Sequence, residues 1–357
     1  MSALCATRLQ QERLSDLCSG CVRLYASAVA MVLALGALCS CRSAESPRTE
    51  LVLGTVCTVN AFRDGSDALY DELFARLSEI DRDASATGTA SQVQAVNAAS
   101  GVAPVTVGAD VFAVTQAALR VAEQTGGAFN PAVGPLVALW GIATEGARVP
   151  SAAEIAEARA LCDWRDIELD ETARSIFLKK RGMRLDLGGI AKGYAADELS
   201  AILRARGVRR AVISLGGNVY LFGRKRGSRW RVGIRNPLQP DGEAALALEL
   251  SEASVVTSGV YERFFEQDGV RYHHILDTAT GAPARTGLLS VTVVCNSSLL
   301  ADALATALFV LGMERGFALL VALPEAQAVF IAEDGTVMAS AGLSCTALTD
   351  DYTVHFR

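Results

Sequence analysis

Residues 301–312, Ala-Asp-Ala-Leu-Ala-Thr-Ala-Leu-Phe-Val-Leu-Gly, have the composition of a buried helix, yet they carry Asp302 and Thr306. Four residues apart, a carboxylate and a hydroxyl leave one face of a helix a single turn apart. A charge on so apolar an element needs a partner inside the fold, because burying it alone is costly. Any fold that accepts this segment must therefore bring something to that face. An arginine, a site to be capped, or a hard oxygen-liganded cation such as Mg2+ would each serve. Upstream stand His273 and His274, two of the three histidines in the chain. A cation beside a titratable base suits chemistry on a phosphate or an acyl group.

The rest of the chain reads as alternating elements. Residues 51–62 alternate and are rich in β-branched side chains, so they read as a strand, as do 174–178, 211–222, 230–234, 245–250, 262–266, 271–276 and 289–295. The apolar spacing of Leu69, Leu73, Leu77 and Ile80 predicts a helix over 67–82, and further helices are expected at 109–125, 151–161, 190–206 and 299–321. Strands mostly follow one another through glycine-containing turns. This favours a single compact α+β domain with a mixed, largely antiparallel sheet and flanking helices over a repeated βαβ sheet. A hydrophobic content of 51% excludes a disordered chain. The net charge of −6, with no basic cluster beyond Lys179-Lys180-Arg181, speaks against nucleic acid as the main ligand.

The N-terminal region reads as an export signal. Arg23 precedes fifteen residues, Leu24 to Leu38, without a charge, short for a membrane span and suited to a signal core, with an uncleaved anchor helix as the alternative. The run ends in Leu38-Cys39-Ser40-Cys41, which resembles the bacterial lipobox. That resemblance divides the chain into a signal peptide at 1–40, a polar tether at 41–50 beginning with a lipidated Cys41, and a domain at 51–357. It places the protein outside the cytoplasm, lipid-anchored on the periplasmic face of the inner membrane. Cys57, Cys162, Cys295 and Cys345 have mostly apolar neighbours and read as buried free thiols, with a disulfide, which the sequence does not assign, as the alternative outside the cytoplasm.

Glycines cluster at three places. In Asp186-Leu-Gly-Gly-Ile-Ala-Lys192, the pair Gly188-Gly189 opens a helix whose first turn carries a lysine. Backbone there can approach a ligand closely, and a helix N-terminus attracts anions. Residues 214–218, Ser-Leu-Gly-Gly-Asn, form a second turn, between strands, and 126–141 a third stretch with the composition of an ordered binding loop. None has the spacing of a Rossmann fingerprint or a P-loop.

Six segments, at 126–131, 186–197, 214–218, 257–265, 274–281 and 301–312, together resemble in sequence and order the ApbE family of FAD:protein FMN transferases. The resemblance spans about residues 50–340. It implies an ApbE-like, T-fold-like domain that binds FAD as substrate and uses Mg2+ to split its pyrophosphate. FMN is joined through its phosphate to a Thr or Ser of an acceptor protein, and AMP leaves. The metal positions fall on Gly189, Asp302 and Thr306. The flavin-contacting positions fall on Ala128, Phe129, Asn130, Asp186, Lys192 and Ile275, with Thr257, Ser258 and Gly259 lining the nucleotide pocket. His274 falls on the general base, and Asp277 either orients its ring or caps the next turn. The implied acceptors are subunits of membrane redox complexes of the Rnf or sodium-translocating NADH:quinone reductase type. Three departures concern the flavin rather than the reaction: Asn130 stands where the family usually has Asp, Leu53 where it often has Met, and 277–281 lack the usual Pro and Arg. FAD hydrolysis to FMN and AMP, and flavin binding without catalysis, are the competing readings.

Overall fold

The computed structural model describes residues 46–86, 90–225, 228–239 and 242–357. The proposed signal segment and the lipidation site Cys41 lie outside the described residues. Seven helices are described: α1 Asp67–Ala84, α2 Gln92–Ala98, α3 Ala109–Gln124, α4 Gly134–Trp140, α5 Ala152–Arg159, α6 Ala191–Ala205 and α7 Ser298–Val321. They flank a nine-stranded sheet ordered Arg48–Val52, Thr55–Asn60, Arg210–Leu215, Asn218–Gly223, Ala253–Gly259, Leu288–Cys295, Ala326–Ala332, Thr336–Ala339 and Thr353–Phe356. Every pair in it is antiparallel except the last, which is parallel. The expected α+β class and largely antiparallel sheet are therefore present.

The central strands are apolar on both faces because both are covered. Along Ala326–Ala332, Ala328 and Phe330 face the helical side, where they join the core of α7. Val329 and Ile331 face the other way, against the small sheet formed by Trp230–Arg235, Ala244–Leu250 and Cys345–Ala347. The two-residue period of a strand divides the side chains between the two cores.

Two expected strands are each a hairpin. Residues 51–62 break at Leu53-Gly54, both at positive φ (56° and 65°), so the strands are Arg48–Val52 and Thr55–Asn60. A two-residue turn of this hand matches the twist of its strands. Glycine suits it; a residue as bulky as Leu53 is uncommon there. Its N–H donates to Asp81 Oδ2 at 3.0 Å. Residues 211–222 break at Gly216-Gly217, with φ of 55° and 92°. The sheet starts at Arg48, so residues 48–50 of the expected tether belong to its edge strand. Residues 126–141 are more ordered than a loop, since α4 forms inside them with a proline in its first turn. All four described cysteines are free and buried.

α6 and α7 cross at very close range. A Cβ on Gly193 would lie 2.3 Å from Ser298 O and 2.7 Å from Leu299 Cα, so only glycine permits the approach. The helices cap each other. Asp302 Oδ2 of α7 accepts from Gly193 N in the first turn of α6 at 2.9 Å. Asp197 of α6 accepts from Ser298 N at 2.8 Å, Leu299 N at 3.0 Å and Ser297 Oγ at 3.0 Å, where α7 begins. Amides of the first turn have no partner within their own helix, and carboxylates also suit the dipole there. Burial raises the Asp197 pKa, opposed by these hydrogen bonds. Further along, Gly312 (φ 76°) kinks α7, and Thr286 Oγ1 donates to Phe309 O just before the kink. Asp302 and Thr306 lie on the straight part.

Asp197→Ala leaves the three donors at the start of α7 without their acceptor. It is expected to lower the unfolding free energy by about 2 kcal/mol, measured by urea titration. An unchanged midpoint would mean that α7 needs no cap from α6.

Candidate active site

A cavity of about 430 Å³ opens where the start of α6, the straight part of α7 and the glycine turns meet. One wall is apolar. Phe129 comes from the loop before α4, and Val133, Val137 and Trp140 follow at helical spacing. Val137 is 40% exposed, an apolar side chain left uncovered inside a concave site. Trp140 is held from behind, with Nε1 donating to Gly281 O at 2.8 Å and its ring 5.6 Å from that of Tyr272.

The opposite wall is polar. Asp302 and Thr306 both line the cavity from α7, as their spacing requires. Asp302 is buried, and among the described residues no basic side chain lies within ion-pair distance of it. The partner it has found is the amide of Gly193. Gly189 stands beside Thr306: a Cβ built on it would lie 3.6 Å from Thr306 Oγ1 and 3.2 Å from Phe129 Cε2. One carboxylate, one hydroxyl and a backbone carbonyl are hard oxygen donors of the kind Mg2+ takes. No group of three or more His, Cys, Asp or Glu able to hold a metal occurs among the described residues. Such an ion would thus have to draw its other ligands from water or substrate, and these residues fit that arrangement.

Lys192 lies in the first turn of α6, with Nζ donating to Gly188 O at 3.2 Å. No carboxylate among the described residues pairs with it. A cation at a helix N-terminus opposes the dipole, so the pair together form a positive locus suited to an anion. Asp186 Oδ1 accepts from Gly188 N at 2.8 Å and its own N–H donates to Pro131 O at 2.8 Å. It thus shapes the glycine turn and ties it to the loop that carries Phe129.

His274 lines the cavity, while His273 points into the core. His274 Nδ1 lies 3.3 Å from Arg263 O. A carbonyl only accepts, so Nδ1 carries the proton and Nε2 keeps its lone pair. Burial, together with the nearby Arg263 and Lys192 charges, lowers the His274 pKa to about 4, so the ring is a neutral base at pH 7. His273 Nε2 donates to Ala284 O at 3.0 Å, Nδ1 accepts from Ile275 N at 3.3 Å, and the ring meets Phe309 edge-on.

Of the residues singled out from sequence, Ala128, Phe129, Asn130, Asp186, Gly189, Lys192, Thr257, Ser258, His274, Ile275, Asp302 and Thr306 all line this cavity. Gly259 does not line it. A Cβ there would lie 2.7 Å from the Tyr261 ring, and the glycine serves that packing. Asn130 is turned inward as well as lining the wall. Its Nδ2 donates to Cys162 O at 2.7 Å and Thr278 Oγ1 at 3.2 Å, and Oδ1 accepts from Ala132 N at 2.8 Å. Its side chain staples loops together and leaves little for a ligand. Asp277 Oδ1 accepts from Ala279 N at 2.8 Å, capping its turn, so the ring of His274 is oriented by Arg263 O instead. The stretch 126–141 had been read as a binding loop, but Val133, Val137 and Trp140 within it, and Asn218, had not been named as lining residues. The i, i+4, i+7 spacing of Val133, Val137 and Trp140 is the signal that would have found the wall.

The ApbE family model matches residues 53–330. The chain is 43% identical over 320 residues to the FAD:protein FMN transferase of Treponema pallidum (strain Nichols), covering 85% of this chain and 88% of that one. It is 42% identical over 275 residues to a FAD:protein FMN transferase of Klebsiella pneumoniae (strain 342), covering 77% and 85%. Among solved structures, the ApbE protein of Thermotoga maritima aligns with a TM-score of 0.75 at 34% identity, covering 83% of this chain and 97% of that one. The flavin transferase ApbE of Vibrio cholerae aligns at 0.73 and 30% identity, covering 81% and 94%.

Burial lowers the His273 pKa from 6.5 to about 4, so the folded protein keeps this ring neutral where the unfolded chain protonates it. Its contribution to stability is complete above pH 6.5 and is lost as the pH falls toward 4. The loss is expected to reach about 3 kcal/mol. Unfolding free energies measured between neutral pH and about pH 4 should fall less steeply for His273→Gln. An identical slope would show that the ring is not held neutral.

Proposed function

The chain belongs to the ApbE family and is an enzyme, a FAD:protein FMN transferase. From that premise we propose that it moves FMN from FAD to a Thr or Ser hydroxyl of an acceptor protein as a phosphoester, with release of AMP. The observation that carries this reading is a meeting of three features in one cavity: an apolar wall with Val137 exposed, a lysine at a helix N-terminus with no carboxylate partner among the described residues, and a neutral histidine. A flavin dinucleotide needs these three: a surface for the ring, positive charge for the diphosphate, and a base for the incoming alcohol.

Asp302, Thr306 Oγ1 and the Gly189 carbonyl would hold Mg2+, which when bound neutralises charge on the diphosphate. Phe129, Val133 and Val137 cover the flavin, and Lys192 at the start of α6 holds phosphate oxygens. The acceptor hydroxyl attacks the phosphorus of the FMN half. The bond from that phosphorus to the bridging oxygen breaks, and AMP departs. His274 Nε2 receives the hydroxyl proton while Nδ1–H on Arg263 O keeps the ring oriented. The reaction is mainly one of positioning and charge, and a base of this kind contributes roughly 100- to 10,000-fold.

The placement follows the same reading. A lipid on Cys41 would tether the domain to the periplasmic face of the inner membrane. The seven residues from Cys41 to Arg48 reach at most about 24 Å. Acceptors of the Rnf or sodium-translocating NADH:quinone reductase type would be bound to the same membrane.

The test is a single reaction of pure protein, FAD, Mg2+ and an acceptor domain, followed by mass spectrometry of the acceptor and assay of AMP. Covalent FMN on the acceptor with stoichiometric AMP supports transfer; AMP released equally without acceptor means hydrolysis instead. His274→Ala is expected to slow transfer by at least about 100-fold while FAD still binds. Asp302→Ala should abolish it, and full rates in either variant would refute the assigned roles.

A further inference from the structure

Asn218 is fully buried at the start of the strand Asn218–Gly223, and it lines the cavity. Its Oδ1 is fixed by a relay of buried hydroxyls. Ser254 Oγ donates to Ser298 Oγ at 2.8 Å, and Ser298 Oγ donates to Asn218 Oδ1 at 2.9 Å. The other end of the amide has no such partner: Nδ2 is buried and without an acceptor. An unmade hydrogen bond of this kind costs about 1–3 kcal/mol, so a group held in this way calls for an acceptor brought from outside.

Its place along α7 says which part of a substrate supplies that acceptor. Ser298, Asp302 and Thr306 follow one another at single-turn intervals on one face of the helix. The Thr306 end adjoins Gly189 and Phe129, part of the apolar wall. The Ser298 end adjoins Asn218, about 11–12 Å away along the axis. Asp302 lies between. The Gly216-Gly217 turn, packed on Thr55, closes this far end. A dinucleotide whose flavin covers the apolar wall and whose diphosphate lies by Asp302 must extend its other half to Asn218. Resting on the flavin reading above, we propose that Asn218 Nδ2 donates to the AMP half of FAD. It would thereby help the enzyme select a dinucleotide over FMN.

The test is equilibrium binding of FAD, FMN and ADP by flavin fluorescence and calorimetry, in EDTA to prevent turnover. Asn218→Ala is expected to weaken FAD and ADP about tenfold and leave FMN unchanged. Asn218→Asp is nearly isosteric and still accepts from Ser298, so it keeps the relay while replacing the donor with a charged oxygen; it should weaken FAD and ADP at least as much. Ser298→Ala removes the relay without removing the donor and should cost less. Equal losses of FAD and FMN, or no loss of either, would overturn the assignment while leaving the flavin reading intact. A wild-type protein that binds no FAD would overturn both.

Discussion

The site depends on the crossing of α6 and α7 at Gly193. Because no side chain stands there, the two backbones approach until each helix can cap the other. Asp302 reaches the first turn of α6, and Asp197 reaches the first turn of α7. Each carboxylate sits where amide donors are unpaired and the helix dipole favours negative charge. This answers the problem posed by an acid on an apolar helix. Asp302 is held by a backbone amide, with no arginine or lysine in ion-pair distance among the described residues.

The same crossing sets the polarity of the cavity. It aligns the first turn of α6, with Lys192 and the Gly188-Gly189 turn, against the face of α7 that carries Asp302 and Thr306. The apolar wall of α4 stands at one end and the buried Asn218 amide at the other. A long molecule with an aromatic end, an anionic middle and a polar end matches this sequence of surfaces. His274 adds a base that burial keeps uncharged, so it can take a proton without first losing one.

Much of this was legible before any coordinates. Spacing alone placed Asp302 and Thr306 on one face, because a helix repeats every 3.6 residues regardless of context. The double glycine before Lys192 marked a close approach for the same local reason. What escaped was decided by contacts and backbone geometry that residue type and spacing do not announce. Asn130 lines the cavity as expected, and what its residue type does not announce is that its amide also ties Cys162 to Thr278, the latter 148 residues on. For Asp277 the sequence left two roles open, orienting His274 or capping the next turn, and the hydrogen bond to Ala279 N selects the cap. Gly259 follows two true lining residues, and only the ring of Tyr261 explains its type. Leu53 is harder still, since nothing in an alternating β-branched run announces a left-handed leucine at a hairpin tip.

The uncovered Val137 has a thermodynamic consequence. An exposed hydrocarbon side chain is in contact with solvent, and water against hydrocarbon is unfavourable. A molecule that dries it binds the folded chain and finds no such surface in the unfolded one. Occupancy and folding are thereby linked, and resistance to heat rises with the logarithm of ligand concentration once the site is filled. Any ligand that covers this wall therefore adds to the stability of the fold as well as filling the site.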